Sequence, residues 1–254
     1  MNDLPAVLVR SVPLAAPRPV AFAHFVENAR FAAWWGAGST VAPEPGGPVR
    51  IVHPNGVTVH GTVREIVAGT SLSFTWGYDD PNKPIAREGS LVTLALADAA
   101  DGCVITVRHA FADDAQRAPF DAGWRFHLAQ LANLAADAAH AQAEAMLDAW
   151  FLAWNDADDA SRGDRLARCT TDTVRLQDRW SCLVGRADLH QHIGICLRMA
   201  PGTTMARTGP VRHCQGTALV GWRAQDAQGT ERGQGTNVVT FAADGRIAGV
   251  VGFW

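Results

Sequence analysis

A stretch without helix breakers lies in the middle of the chain and constrains the fold more than any other feature. No glycine or proline occurs between Trp124 and Arg162. Apolar residues recur there every three or four positions, the spacing of a helix that buries one face; they are Phe120, Trp124, Leu128, Leu131 and Ala135, then Met146, Leu147, Trp150, Phe151 and Trp154. This pattern predicts helix, continuous or bent near His140, with a domain boundary inside it. Because 254 residues suffice for two domains, we expect domains at 1–138 and 139–254.

Mostly strand-like sequence precedes this helical stretch. Residues 6–14 are typical of a first strand, and residues 20–35 have helical spacing after Pro17 and Pro19. Period-two alternation and turn residues predict further strands at 49–53, 57–66, 72–76, 90–96 and 104–111. The first half is therefore expected to be an antiparallel sheet followed by a long helix.

The second half reverses that order. After the helix through Trp154, the sequence predicts a helical turn at 165–169, a strand at 173–180 and a helix at 185–199. Three strands are predicted to close the chain, at 218–223, 235–241 and 247–254. Helices first and antiparallel strands last indicate an α+β domain rather than a βαβ one.

Composition excludes several classes of protein. The net charge is −3 and basic residues form no long run, which argues against nucleic-acid binding. No window approaches the ~18 apolar residues of a membrane span, and the start lacks the basic and apolar regions of a signal peptide. The five cysteines form no CxxC pair and are odd in number, so reduced thiols in a cytoplasmic protein are expected.

Histidine spacing gives no metal site. His190 and His192 are two apart on a predicted helix and so point to different faces, while His213 and Cys214 are adjacent in a strand and diverge. We expect neither a metal nor a cofactor.

Six segments of the first half occur in the order and spacing of a known pattern. They are Phe31-Ala-Ala-Trp-Trp-Gly36, Gly61-Thr-Val-Arg-Glu-Ile66, Leu72-Ser-Phe-Thr-Trp76, Ser90-Leu-Val-Thr93, His109-Ala-Phe111 and Gly123-Trp124. Residues 7–136 therefore resemble the family of activators of the heat-shock-protein-90 ATPase, within the START-like (SRPBCC) superfamily. The resemblance implies a helix-grip fold, an antiparallel sheet curled around a long C-terminal helix with a cavity between them.

The second half resembles a SnoaL-like domain of the nuclear-transport-factor-like superfamily over residues 141–254. The matching features are Phe151-Leu-Ala-Trp-Asn155, Asp178, Gly185-Arg186, Pro201-Gly202, Trp222, Gly235-Thr-Asn237 and Asp244-Gly-Arg-Ile-Ala-Gly-Val-Val-Gly-Phe253. The implied fold is a cone-shaped α+β barrel around a pocket. Both superfamilies contain enzymes and binding proteins, so the fold alone does not determine the function.

Aromatic residues are the site candidates in the first domain. We expect Trp34, Trp35, Trp76, His109, Phe111 and Trp124 near a cavity. The alternative is that they fill the core between sheet and helix. No nucleophile–base pair is visible, and a lone histidine such as His109 is more often a neutral hydrogen-bonded group than a catalyst.

In the second domain, Asp178 in a predicted strand is the candidate acid–base group, with His213 as a second. The resemblance implies a pocket aspartate acting as a base, among aromatic residues such as Trp154 and Trp222. Two alternatives stay open: Asp178 is a surface or capping residue, or its charge is stabilised by Arg179 and Arg186. Family members commonly have an acid where this chain has Asn237, which can bind a ligand but cannot take a proton.

Three functions are compatible with these features. The leading interpretation is a protein that binds small apolar or amphipathic molecules in one or two pockets without turnover. The second is a polyketide-cyclase-like or isomerase-like enzyme that uses Asp178. The third, taken from the family name, is a chaperone-accessory or stress-response protein. The resemblance and the apolar segment 247–254 also predict a homodimer formed through the second domain.

Overall fold

The computed structural model describes residues 4–254 and divides the chain into two compact units, one ending at Ala138 and the other spanning Ala139–Trp254. Both units combine helices with a mainly antiparallel sheet, so the predicted α+β class is confirmed. None of the seven helices in the described part of the chain is long and apolar enough to cross a membrane. All five cysteines are thiols.

The first unit is a seven-stranded sheet with four helices. Its elements are β1 (Ala6–Leu14), α1 (Arg18–Val26), α2 (Asn28–Trp35), β2 (Thr40–Val41), β3 (Pro48–Val52), β4 (Thr58–Val67), β5 (Ser71–Trp76), β6 (Ser90–Ala99), β7 (Gly102–Phe111), α3 (Asp114–Arg117) and α4 (Phe120–Ala139). The strand order is β1-β7-β6-β5-β4-β3-β2, and every pairing is antiparallel. Helix α4 contributes Trp124, Leu128 and Leu131 to the same core as the sheet.

The single helix predicted at 20–35 is two helices. Glu27 has an extended backbone, with φ −96° and ψ 118°, and it both ends α1 and precedes α2. The Asn28 side chain accepts a hydrogen bond from the backbone nitrogen of Val41 over 2.7 Å, which anchors the start of α2 to β2. The break lets Phe25 on α1 and Trp35 on α2 both lie in the core.

The second unit places three helices on a six-stranded sheet. Its elements are α5 (Ala143–Trp154), α6 (Asp159–Cys169), β8 (Thr170–Gln177), β9 (Cys182–Val184), α7 (Arg186–Met199), β10 (Thr204–Cys214), β11 (Thr217–Gln225), β12 (Glu231–Phe241) and β13 (Ile247–Phe253). The strand order is β10-β11-β12-β13-β8-β9. Strand β13 pairs with β8 in parallel, and the other pairings are antiparallel.

Over residues 139–254 the sheet of this unit does not close into a barrel, so the predicted cone-shaped barrel is confirmed only as an α+β unit. Among the described residues β10 and β9 are the two edges of an open sheet and do not pair with each other. Of β10, only His213 and Cys214 were expected in a strand, and its other residues lie outside the predicted strands. Asn155 holds it in place, since its side chain donates to the carbonyl oxygen of Met205 over 2.8 Å and accepts from the nitrogen of Met205 over 2.7 Å.

The predicted helical stretch is interrupted by a short turn at residues 140–142, between α4 and α5. The His140 ring occupies this turn, and its Nε2 lies 2.9 Å from the carbonyl oxygen of Ala242. Because a carbonyl only accepts, Nε2 carries the proton. This hydrogen bond from the His140 side chain holds the backbone of the turn between α4 and α5.

Candidate functional site

The second unit contains a cavity of about 780 Å³, hereafter the second-unit cavity. Its lining comes from α5, the turn after β8, α7, and strands β11 and β12. The lining residues include Trp150, Trp154, Leu176, Asp178, Trp180, Ser181, His192, Cys196, Leu197, Met205, Trp222, Ala224, Asp226, Arg232, Asn237 and Trp254. This volume lies in the range of sites for drug-sized molecules.

Tryptophans form much of the cavity wall. The ring centroids of Trp150 and Trp154, one turn apart on α5, are 6.0 Å from each other. Trp222 on β11 is buried, whereas Trp180 and Trp254 are 70% and 52% exposed. Aromatic rings of this kind give a large apolar contact surface with little conformational freedom.

A hydrogen bond joins two of the predicted site residues. The indole nitrogen of Trp222 donates to Oδ1 of Asn237 over 3.1 Å, and both residues are buried. Gly235 lies opposite Trp222 in the β11–β12 pairing, and a Cβ atom there would come 2.9 Å from the Trp222 ring and 2.5 Å from the Phe253 oxygen. Glycine therefore allows the indole to lie close to β12. With its oxygen engaged, Asn237 keeps its amide nitrogen as a donor for a ligand.

Asp178 lines the cavity from a turn, not from the predicted strand, because β8 ends at Gln177. Its backbone nitrogen donates to the carbonyl oxygen of Ser181 over 2.9 Å, and its Oδ1 accepts from the nitrogen of Trp180 over 2.7 Å. The carboxylate thus stabilises the tight turn with one oxygen. Its other oxygen is the group with which it can bind a ligand.

The arginines expected beside Asp178 lie elsewhere. The guanidinium of Arg179 stacks 4.9 Å from the Trp180 ring centroid, and Arg186 forms its ion pair with Asp172. Within the described residues Asp178 forms no ion pair with either arginine. Neither arginine is therefore an ion-pair partner of Asp178, whose Oδ1 has instead the capping role of accepting from the Trp180 nitrogen.

Three polar side chains near Asp178 were not among the predicted site residues. Nε2 of His192 lies 3.3 Å from Oγ of Ser181 and 3.5 Å from Sγ of Cys196. Burial and the nearby Asp178 charge raise the pKa of the Cys196 thiol, which favours its protonated form. The four-residue spacing of His192 and Cys196, which places them on one face of α7, was the signal that could have found them.

An ion pair lies beside the exposed aromatics. Arg232 and Asp226 approach to 2.7 Å, with Asp226 largely covered and Arg232 mostly exposed. Since these two charges offset each other, Asp178 is the carboxylate of the lining that has no ion-pair partner among the described residues.

His213, the second catalytic candidate, does not line this cavity. Its Nε2 lies 3.1 Å from Nδ1 of His140, and the two rings pack near Phe241. His213 therefore has a structural setting apart from Asp178 and Asn237.

The first unit contains a smaller cavity of about 400 Å³, hereafter the first-unit cavity. It is lined by Trp35, His53, Asn55, Val57, Trp76, Tyr78, Lys83, Pro84, Pro119, Phe120, Gly123, Trp124 and His127. Of the predicted residues, Trp35, Trp76 and Trp124 line it, with ring centroids 5.5–6.2 Å apart.

The other three predicted residues of this unit lie in its core. Trp34 donates its indole proton to the carbonyl oxygen of His24 over 3.0 Å, and Phe111 stacks on His109 with centroids 3.9 Å apart. All three are buried and none lines the first-unit cavity. These three residues therefore fill the core between sheet and helix, which was the alternative to a place at the cavity.

His109 belongs to a buried hydrogen-bond chain. The indole of Trp124 donates to Nδ1 of His109 over 3.1 Å, so the ring proton is on Nε2, which donates to Oγ of Ser90 over 2.9 Å. Ser90 in turn donates to the carbonyl oxygen of Trp76 over 3.1 Å. Burial lowers the pKa of His109 to about 3, which keeps the ring neutral.

Two histidines of the first-unit cavity were not predicted. Burial, with a smaller effect of the His127 charge, lowers the pKa of His53 to about 4. Burial also lowers the pKa of His127, and its Nδ1 donates to the carbonyl oxygen of Trp34 over 3.1 Å. Nε2 of His127 is therefore an unprotonated acceptor at neutral pH.

Several buried indole nitrogens lack a hydrogen-bond partner in the described part of the chain. They belong to Trp35, Trp76 and Trp154, all of which line a cavity. An unpaired buried donor costs about 1–3 kcal/mol, so a ligand oxygen that reached one would gain that interaction.

No cluster of three metal-ligating side chains occurs among residues 4–254. The two histidines of α7 diverge as their spacing predicts. His190 contacts the backbone oxygen of Asp159, whereas His192 lines the second-unit cavity.

The first unit has a recognisable family pattern. Residues 15–136 match the family model for Activator of Hsp90 ATPase homolog 1-like protein. No protein of curated function matches this chain.

Solved structures resemble parts of the chain. A candidate isomerase of the SnoaL-like family from Agrobacterium tumefaciens is 24% identical, covers 44% of this chain and 97% of its own, and has a TM-score of 0.43. An AHSA1-like protein from Rhizobium etli is 27% identical over 53% of this chain and 86% of its own, with a TM-score of 0.41. The Aha1 dimer from Colwellia psychrerythraea is 13% identical over 50% of this chain and 93% of its own, with a TM-score of 0.43.

Proposed function

We propose that the second-unit cavity binds a small amphipathic molecule. The observation that supports this most directly is an aromatic wall of Trp150, Trp154 and Trp222 beside two polar groups, Asp178 and Asn237. Ligand sites are mostly apolar with a few placed polar groups, which is the character of this lining.

The polar groups favour a ligand end that carries both a donor and an acceptor. Asp178 offers a carboxylate oxygen, and Asn237 offers an amide nitrogen because Trp222 occupies its oxygen. A hydroxyketone or an amide meets both needs. The charge of Asp178 disfavours an anionic ligand end at this position.

N-phenyl-1-naphthylamine is a suitable probe, since it is apolar, neutral and carries one N–H donor. Ala224 lines the cavity, whereas Ala206 is exposed on the neighbouring β10. We expect saturable fluorescence enhancement in the wild type, loss of binding in Ala224→Phe, and retention in Ala206→Phe, which adds the same bulk outside the cavity. Equal binding by both variants would contradict the proposal.

Proton transfer is the second candidate function. It is favoured by one observation, that Asp178 faces the cavity without an ion pair to Arg179 or Arg186. In this function Asp178 accepts a proton from the carbon next to a ligand carbonyl, and the Asn237 amide donates to the oxygen on which negative charge develops.

Hydrogen–deuterium exchange into a panel of enolisable ketones, followed by NMR, tests this second function. Exchange above buffer that is lost in Asp178→Asn supports it. Exchange that appears only in Asn237→Asp indicates a binding cavity without its own base. No exchange in any of the three proteins contradicts it.

The chaperone-accessory hypothesis rests on a family name, and no residue of either cavity supports it.

Self-association is proposed for the second unit through the end of β13. Val251 and Phe253 are 37% and 61% exposed, and an isologous contact would cover the same apolar side chains in both copies. Light scattering at high micromolar concentration is expected to give twice the chain mass of 27.1 kDa. A monomer mass would contradict this expectation.

A further inference from the structure

The only lysine and the only tyrosine of the sequence lie close together in the first unit. Lys83 is the only lysine of the sequence and Tyr78 the only tyrosine. Both line the first-unit cavity, and both belong to the segment 77–89 that connects β5 to β6. The other basic residues are arginines, so this one position carries a compact ammonium group on a flexible stem.

Lys83 is the only lining residue of this cavity that is charged at neutral pH. Burial lowers the pKa of His53 and His127, so both are neutral, and burial raises the pKa of Tyr78, which keeps the phenol protonated. The remaining lining side chains are aromatic, aliphatic or amide. The cavity therefore presents a single positive charge, in contrast to the Asp178 carboxylate of the second-unit cavity.

The Lys83 ammonium is available to a ligand. Its Nζ lies 6.0 Å from the Tyr78 ring centroid, and no carboxylate of the described residues comes within the 4.0 Å of an ion pair. The nearby Asp79 is paired with Arg87 instead. Asp80 accepts its hydrogen bonds from Asn82, and the Lys83 charge is only a minor cause of its lowered pKa. The Lys83 side chain is exposed, so it lies at the open end of the cavity.

The inner part of the cavity suits a flat ring. Trp35, Trp76 and Trp124 are each at most 3% exposed, and their rings are tilted toward one another by 48–72°. Such surfaces contact an aromatic ring by stacking and edge-to-face packing.

We propose that the first-unit cavity binds a planar aromatic carboxylate, with its ring against Trp35, Trp76 and Trp124 and its anionic group at Lys83. This site is distinct from the proposed function of the second unit. Either one can fail without affecting the other.

Calorimetric titration of the full chain with 2-naphthoate tests the proposal, with 2-naphthalenemethanol as its neutral counterpart. We expect Lys83→Met to weaken naphthoate binding about fivefold, the effect of losing a partly exposed ion pair. The affinity for 2-naphthalenemethanol should stay unchanged. Lys83→Arg retains the charge and is expected to keep most of the affinity. Salt should weaken naphthoate binding and not alcohol binding.

A second pair of variants locates the binding. Gly123 lies on α4 and lines the cavity, and a Cβ atom there would meet nothing within 4 Å. Gly123→Leu therefore starts its side chain in open space beside the cavity and is expected to block naphthoate binding without lowering the melting temperature. Ala122→Leu adds the same side chain to an exposed position of the same helix and is expected to bind normally.

The single lysine also gives a direct spectroscopic reporter. Reductive methylation with ¹³C-formaldehyde labels Lys83 and the N-terminal amine, and the labelled Lys83→Arg variant identifies which signal is which. We expect 2-naphthoate to shift the Lys83 methyl signal saturably. The proposal is overturned if the signal does not move, or if Lys83→Met or Gly123→Leu binds naphthoate like the wild type.

Discussion

Trp222 and Asn237, on neighbouring strands of the second unit, share a buried hydrogen bond of 3.1 Å from the indole nitrogen to the amide oxygen. Asn237→Ala removes the acceptor and leaves a buried indole proton unpaired. The free energy of unfolding should fall by about 1–3 kcal/mol in urea denaturation. A double-mutant cycle with Trp222→Phe isolates the bond, because that substitution removes the donor. Strictly additive losses would show that the two side chains do not interact.

Acid should destabilise the first unit through His109. Its pKa falls from 6.5 to about 3 in the folded protein, so below pH 6.5 the unfolded chain binds a proton that the folded chain does not. Stability is therefore lost as the pH falls, by about 2 kcal/mol between pH 6.5 and pH 5. His109→Asn keeps an acceptor for Trp124 and should reduce this dependence in urea denaturation, with the remainder coming from His53, whose pKa burial lowers to about 4. An unchanged slope would contradict the assignment.

Asn155 should stabilise the second unit by joining α5 to β10. Its side chain forms two hydrogen bonds with the backbone of Met205, at 2.8 and 2.7 Å. Asn155→Ala is expected to cost about 1–3 kcal/mol. Gln234→Ala, on an exposed position of β12, is the control and should change stability by less than about 0.5 kcal/mol. Similar losses in both variants would mean that the bond to β10 contributes nothing specific.

Gly123→Leu should raise the stability of the first unit. Leucine is a better helix former than glycine by about 0.5–1 kcal/mol, and the position has open space around it. Thermal unfolding should show a higher melting temperature than the wild type, and Ala122→Leu should show little change. A lower melting temperature in Gly123→Leu would indicate that the added side chain meets atoms in this region.

The sequence predicted the elements whose residues repeat with a clear period. Strand β1 has the expected bounds, and α4 and α5 lie where the apolar spacing places them. Most of strand β10 could not be recognised because Gly209 and Pro210 interrupt its alternation, at the point where its register with β11 shifts. The open sheet of the second unit could not be read from the pattern either, since tertiary pairing decides which strands become edges.

The two cavities were only partly predictable, because the position of a side chain also depends on tertiary packing. Residue type indicated Trp154, Asp178, Trp222 and Asn237, which do line one cavity, and Trp35, Trp76 and Trp124, which line the other. Residue type cannot separate a cavity wall from a core, so His109 and Phe111 were grouped with them. The spacing of His192 and Cys196 on α7 indicates their contact, whereas the contact of His192 with Ser181 joins two elements and could not be read from the sequence.

The indole ¹⁵N–¹H spectrum of the full chain, titrated with N-phenyl-1-naphthylamine, shows whether a small molecule binds in the second-unit cavity. Tryptophan signals are assigned by single substitution to Phe. We expect the signals of Trp150, Trp154 and Trp222 to shift saturably in the wild type and in Ala206→Phe, and to stay fixed in Ala224→Phe. Fluorescence-detected binding of the probe while these three signals remain unmoved in the wild type would contradict this expectation.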